Sequence, residues 1–144
     1  MTEVIVVGTD GSPSAGVAVQ RAAALAKLTG ARVELVSGYR DVHHASALSA
    51  GMYPGDPTAD AQEAADACLE SAAAELRSAG LEVETHCMRG DPADSLIDVA
   101  ETTDANLIVV GSKGMTGGRR FVLGSVPNRV SHHAPCSVMI VRTS

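Results

Sequence analysis

Aromatic residues are almost missing from this chain, which has one Phe, two Tyr and no Trp. Stacking of bases on aromatic faces, the usual platform for single-stranded nucleic acid, has little to work with here. Basic residues are also outnumbered, 11 Lys and Arg against 17 Asp and Glu, for a formal net charge of -6. A surface of that sign repels nucleic acid and anionic membrane as a whole, so any phosphate site must be a local cationic island. No apolar run approaches the roughly 20 residues of a membrane span, and Met1-Thr2-Glu3 puts no basic residue ahead of its apolar run. The expectation is a soluble, cytoplasmic protein with no nucleic-acid and no membrane partner. Cysteine is scarce and odd in number, since Cys68, Cys87 and Cys136 stand far apart, each within an apolar pattern. Neither a disulfide framework nor a zinc site is implied, and all three are expected as buried structural thiols.

What is present is aliphatic. The 144 residues suit a single domain, expected over 1–144, packed with Val, Leu, Ile and Ala. Val4 to Val7 is a continuous β-branched run, as in a strand covered on both faces. Ser12-Pro13 then reads as a helix start, a cap followed by proline where the missing donor does no harm. That helix is predicted to run to about Thr29, bury Ala15, Ala18, Ala22 and Leu25, and stop at Gly30. A second strand covers Arg32 to Gly38, and a long connection with His43-His44, Gly51, Pro54, Gly55 and Pro57 follows.

Helical character returns near Asp60, which with Glu63 resembles a capping box, and Ala61, Ala65, Cys68, Leu69, Ala72 and Leu76 form its apolar side up to Gly80. Leu81, Val83, Thr85 and Cys87 alternate with polar residues, the mark of an edge strand. Gly90-Asp91-Pro92 repeats the cap-and-proline device, with Leu96, Ile97 and Ala100 inward. A fourth strand over Asn106 to Val110, a helix from about Gly124 to His133 and a last strand over Ser137 to Val141 complete the order. Alternation of this kind predicts one α/β doubly wound, Rossmann-like unit: a five-stranded parallel sheet with helices on both faces. The two most hydrophobic runs, Val4 to Val7 and Leu107 to Val110, belong at its centre, which suggests strand order 3-2-1-4-5. A crevice then opens where the winding reverses, beside Asp10 and Gly111.

The stretch that follows the fourth strand carries the chemistry. Leu107-Ile108-Val109-Val110 ends in Gly111-Ser112-Lys113-Gly114, and Gly124-Ser125 opens the next helix. Gly111 lets the chain turn off the strand and lets a ligand approach the backbone, and Gly114 suits a positive φ that aims successive N–H groups inward. The helix start at Gly124-Ser125 adds unpaired amides, a hydroxyl and the positive end of a dipole, while Lys113, Arg119 and Arg120 add mobile charge. No Walker pattern or dinucleotide fingerprint is present.

Gly-x2-Gly-x9-Gly-Ser at Gly111, Gly114 and Gly124-Ser125 resembles the nucleotide-binding signature of the universal stress protein family. The resemblance extends from Val4-Ile5-Val6-Val7-Gly8-Thr9-Asp10-Gly11-Ser12 to Val138-Met139-Ile140-Val141. It implies the same strand order, an adenine nucleotide (ATP, AMP or cyclic AMP) as ligand, Mg2+ or Mn2+ beside the phosphates, and a role in stress response or signalling. The nucleotide-binding set it implies is Gly8, Thr9, Asp10, Gly38, Val110, Gly111, Lys113, Gly114, Gly124, Ser125 and Val126. Gly8 and Thr9 line the base pocket through their backbone, Gly38 meets the adenine edge, and Asp10 contacts ribose, base or a metal, the alternative for Asp10 being a helix cap.

Pro127 departs from that pattern, for it sits early in the receiving helix and has no N–H to give, which makes a monophosphate or cyclic nucleotide an alternative to a full triphosphate. The paired histidines His43-His44 and His132-His133 point different ways and are not read as metal ligands. No Glu, Gln or His lies in the loop to orient a water, so the expectation is binding with little catalysis, with slow ATP hydrolysis or a cyclic-AMP reservoir as alternatives. Ser137 to Val141 is apolar on both faces and predicted at a sheet edge, so a homodimer through this last strand is expected.

Overall fold

A computed structural model describes residues 2–41, 55–112 and 123–143. The expected long connection with His43-His44, and the loop residues Lys113, Gly114, Arg119 and Arg120, lie outside the described residues. The chain runs β1 (Val4–Gly8), α1 (Pro13–Thr29), β2 (Arg32–Tyr39), α2 (Pro57–Ser78), β3 (Val83–Arg89), α3 (Pro92–Thr102), β4 (Leu107–Gly111), α4 (Ser125–His133) and β5 (Ser137–Val141). All strand pairs are parallel, in the order β3-β2-β1-β4-β5 predicted from the sequence.

Both faces of the central strands are buried, which is why their sequences show no alternation. Ile5 and Val7 of β1 pack on one side with Val19, Ala22 and Ala26 of α1 and Leu69, Ala73 and Leu76 of α2. Val6, between them, packs on the other side with Leu96, Val99 and Ala100 of α3 and Val130 of α4. The outer strand β3 keeps Glu84 exposed beside buried Val83, as its alternating sequence requires, and its last residue, Arg89, is exposed as well.

Three helices start with the same device, a polar cap followed by proline. Ser12 Oγ accepts from the Ala15 N–H at 3.2 Å, Asp91 Oδ1 from the Ala93 N–H at 2.9 Å, and Asp56 Oδ1 from the Thr58 N–H at 3.0 Å. The last of these moves the start of α2 from the expected Asp60 to Pro57, because Asp60 and Glu63 lie a turn inside a helix that Asp56-Pro57 has already begun. Gly80, at φ +90°, ends α2 as expected. Its N–H bonds the Arg77 carbonyl at 2.9 Å while the Leu81 N–H bonds the Leu76 carbonyl at 3.2 Å, the paired bonds of a Schellman motif.

Several core assignments are corrected. Ala15 and Leu25 of α1 are half-buried, and Val19, Ala23 and Ala26 are buried with Ala18 and Ala22, so the buried stripe is turned slightly from the expected one. Ala15 loses its cover because the first turn of α1 projects past the end of β1. Ile97, Ala61 and Ala72 are also half-buried. So are all three cysteines, which were expected to be buried. Burial, with help from the neighbouring Asp66, still pushes the Cys87 thiol up to about 11, and burial raises Cys136 as well. Cys87 therefore stays a thiol at neutral pH, the unreactive form.

One charged group is buried in the sheet. Glu34 on β2 is 2 % exposed, and its two carboxylate oxygens meet Arg32 Nε and His86 Nε2, each at 2.6 Å. The contact to His86 ties the outer strand β3 to β2. A carboxylate removed from water is tolerable only while its oxygens keep their donors. His86→Ala leaves one oxygen short of a partner and is expected to cost about 2 kcal/mol in urea unfolding. A loss below about 0.5 kcal/mol, the level of an ordinary surface change, would show that the pairing with His86 contributes no stability.

Candidate functional site

β1 and β4 lie side by side, yet the chain leaves them in different directions. From β1 it passes by α1 to β2 on one side; β5, on the other, follows β4 by way of α4. The space above their carboxyl ends is left open. A cavity of about 190 Å3 occupies it.

The β1 side is shaped by a turn that only glycine completes. The Thr9 N–H closes the ladder on the Val36 carbonyl at 2.9 Å. Thr9 Oγ1 then accepts from the Gly11 N–H at 3.2 Å, and Asp10 Oδ1 accepts from the Ser12 N–H at 2.8 Å. Gly11 has φ +81°, and a Cβ there would lie 2.8 Å from Cys68 Sγ. Asp10 is exposed at the rim, and its carboxylate serves the turn through one oxygen while Ser12 is the helix cap. The second oxygen of Asp10 is directed to no described partner. Gly8 is close-packed too, since a Cβ would come within 3.3 Å of Leu96 Cδ2.

β2 forms the next wall because it outruns its neighbour. Gly8, the last residue of β1, is in register with Val36, whereas β2 continues to Tyr39. Arg32 and Val36 turn their backbone groups toward β1, as the Arg32 N–H on the Glu3 carbonyl and the Thr9 N–H on the Val36 carbonyl show. Tyr39 turns the other way, its carbonyl accepting from the Gly90 N–H at 2.8 Å. By the alternation of a strand, Gly38 faces its N–H and C=O to the side that β1 has vacated. Pro92 Cα lies 3.7 Å from where a Gly38 Cβ would be, an ordinary contact that sets the start of α3 against this strand. The Arg40–Asp91 ion pair at 3.0 Å and the pairing of Arg89 with Asp41 hold the end of β2 against the turn into α3.

The β4 side brings the ends of the glycine loop together. The Gly124 N–H donates to the Ser112 carbonyl at 3.0 Å, and the Ser112 N–H donates to the Val141 carbonyl at 2.8 Å. Gly124 caps α4 with no side chain to bond the first amides, so the positive end of the helix opens on the cavity through Ser125, Val126 and Pro127.

Of the residues expected to bind, Gly8, Thr9, Asp10, Gly38, Val110, Gly111, Ser125 and Val126 line this one cavity. Gly124 stands behind it as the cap, and Lys113 and Gly114 are outside the described residues. Ala15, Val36, Pro92 and Leu96 also line it and were not anticipated. They come from three elements, and only the Asp91-Pro92 helix start offered a sequence signal for any of them. Asp10 is the single acidic residue of the described lining, which has no Lys or Arg. His132 and His133 lie on the last turn of α4, their rings 6.5 Å apart, and no group of three potential metal ligands occurs among the described residues.

A doubly wound parallel sheet with a glycine-lined crevice at its reversal point defines the class of protein. The chain belongs to the Universal stress protein family, whose sequence profile matches residues 1–142. It is 37% identical to a universal stress protein of Mycobacterium tuberculosis, over 97% of this chain and 96% of that one. Universal stress protein YxiE of Bacillus subtilis is 31% identical over 96% of this chain and 97% of its own length. A solved universal stress protein in complex with cAMP matches with a TM-score of 0.75 at 30% identity, covering 99% of this chain and 98% of the other. A universal stress protein from Archaeoglobus fulgidus in complex with dAMP matches with a TM-score of 0.72 at 26% identity, covering 98% of each chain. No described helix is long and apolar enough to cross a membrane.

The turn at Gly11 separates two costs. Gly11→Ala meets both the positive φ and the Cys68 sulfur, and is expected to destabilise by about 2–3 kcal/mol. Adding Cys68→Ala removes the clash but not the backbone strain, so the double variant should be more stable than the sum of the two single changes by about 1 kcal/mol. Strict additivity in thermal or urea unfolding would place the whole cost in the backbone.

Proposed function

We propose that this chain is an adenine-nucleotide-binding universal stress protein that acts in stress response or signalling with little catalysis of its own. The observation that carries the reading is convergence. The Gly38 backbone donor and acceptor, the Asp10 carboxylate and the start of α4 all face one apolar cavity. A purine edge pairs with a backbone donor and acceptor, ribose hydroxyls donate to a carboxylate, and a phosphate suits a helix N-terminus. The relatives solved with cAMP and with dAMP, both adenine nucleotides, support the same ligand class.

The described lining contains no His, Glu or Gln to orient a water, and its one carboxylate sits at the rim. A divalent ion, Mg2+ or Mn2+, fits this donor set poorly by itself, since Asp10 is the only anionic ligand; it would arrive with a polyphosphate and use Asp10 as one partner. Calorimetric titration of adenine nucleotides tests the function, and Asp10→Ala is expected to weaken AMP binding about tenfold by removing a charged acceptor. ATP turnover above roughly one per second that is lost in Asp10→Ala would make the protein an enzyme instead.

A homodimer through β5 belongs to the same reading. β5 is the outermost strand on its side of the sheet, Ile140 is 40 % exposed, and Val138 and Met139 pack on opposite faces. The opposite edge, β3, carries exposed Glu84 and Arg89, which discourage strand pairing. Light scattering at micromolar concentration is expected to give a dimer mass for the native chain and a monomer mass for Ile140→Lys. A native monomer would remove the dimer from this proposal.

A further inference from the structure

We infer that the outer face of α1 and α2 is a self-docking surface, on which a second copy of this chain lays its α2 over α1 and its α1 over α2. The two helices lie side by side on one face of the sheet, where their inner residues share a core. Each returns the chain between parallel strands, so they run in the same direction. On the outside of α1, Pro13, Val17, Ala24 and Leu28 fall at helical spacing and form one exposed apolar stripe, with Val17 45 % and Leu28 84 % exposed. The crest of α2 is its counterpart. Ala67, Ser71 and Ala74 are exposed there at helical spacing, small enough to let another helix approach closely.

Charge selects the occupant and the symmetry. α1 has Arg21 and Lys27 and no Asp or Glu, whereas α2 carries Asp60, Glu63, Asp66, Glu70 and Glu75 against Arg77 alone. Arg77 is turned to the Val83 carbonyl at 2.8 Å, and neither Arg21 nor Lys27 has an ion pair among the described residues. A two-fold axis running across the helices would lay α1 on α1 and α2 on α2, like charge on like. An axis along the groove between them lays each basic α1 on the acidic α2 of the second copy. Rotation about that axis keeps every residue at its height along the groove. Gln20 Nε2 donates to Glu75 Oε1 at 3.1 Å, and Arg21 and Glu75 border the same depression, so Arg21 of each copy is brought to Glu75 of the other. Size sets the strength. The 17 residues of α1 make a helix about 25 Å long, and two helices about 10 Å apart cover roughly 500 Å2 per copy, or about 1,000 Å2 in all. That is the low end for a specific interface, so a Kd of about 100 μM is expected.

The test is sedimentation equilibrium of the full chain carrying Ile140→Lys, which takes the β5 edge out of the question, from about 10 μM to about 1 mM, a range that brackets a weak interface. The mass is expected to climb from monomer toward dimer over this range, and to climb less at high salt. Adding Arg21→Glu sets carboxylate against carboxylate and should weaken the association at least about tenfold. Adding Glu75→Arg to that chain restores the pair with its signs exchanged and should recover the association. Val17→Asp, on the apolar stripe, is expected to abolish it by a separate route. All four positions are exposed, and circular dichroism confirms that each variant keeps its fold. A mass that stays monomeric to about 1 mM leaves the face to some other partner and overturns the inference. So does an association that Arg21→Glu and Val17→Asp do not weaken, or one that the exchanged pair does not recover. Whether the native chain pairs through β5 does not enter the result.

Discussion

The pairing of β1 with β4 is the constraint on which the rest of the molecule depends. These two strands, in register from Ile5 with Leu107 to Val7 with Val109, are covered by helices on both sides and give the sheet its dry centre. Because each is followed by a crossover to the opposite side, no chain passes over their carboxyl ends. The crevice is a consequence of the winding, and its polar groups are those left over when the ladders stop. β1 ends at Gly8 while β2 runs on to Tyr39, so the backbone of Gly38 loses its neighbour at the point where a ligand can replace it.

Local chemistry then decides how the rim is finished. Ser12, Asp56 and Asp91 each spend a side-chain oxygen on a helix start, and each is followed by proline. α4 is the exception, with glycine at the cap and proline inside the first turn. A helix that satisfies its own first amides has nothing to give a ligand, so the missing cap side chain on α4 is a loss for the free helix that a bound anion can offset. The same trade appears at Glu34, where a buried carboxylate is kept by Arg32 of its own strand and by His86 of the outer strand β3.

Much of the fold was legible because its signals are local or periodic. β-branched runs, caps before prolines and glycines after helices require only neighbours along the chain, and they placed every described strand and helix to within a few residues. Strand order was readable because the two most hydrophobic runs had to be central. The errors are those of long-range context. Asp60 reads as a helix start although Asp56-Pro57 has already made one, and Ala15 reads as core although it stands at the crevice. Among the site residues, Gly111, Gly114 and Gly124-Ser125 are legible through their spacing, Asp10 through its place at the end of the first strand, and Gly8 and Gly38 only through the resemblance to the family. Val36, Pro92 and Leu96 were not, because nothing in an apolar residue reveals which cavity it will border.

Taken alone, the sequence determined the class of sheet, its strand order, the helix starts at Ser12-Pro13 and Asp91-Pro92 and the family to which the chain belongs, since each depends on residue type at short spacing. The tertiary structure decided the rest: which amides remain free on α4, which wall Gly38 turns to the crevice, and how Glu34 keeps its donors. Those outcomes depend on where one strand stops relative to another and on contacts between residues far apart in the chain, such as Gly11 with Cys68 and Ser112 with Gly124. Spacing along the backbone carries no record of such distances until the sheet has closed.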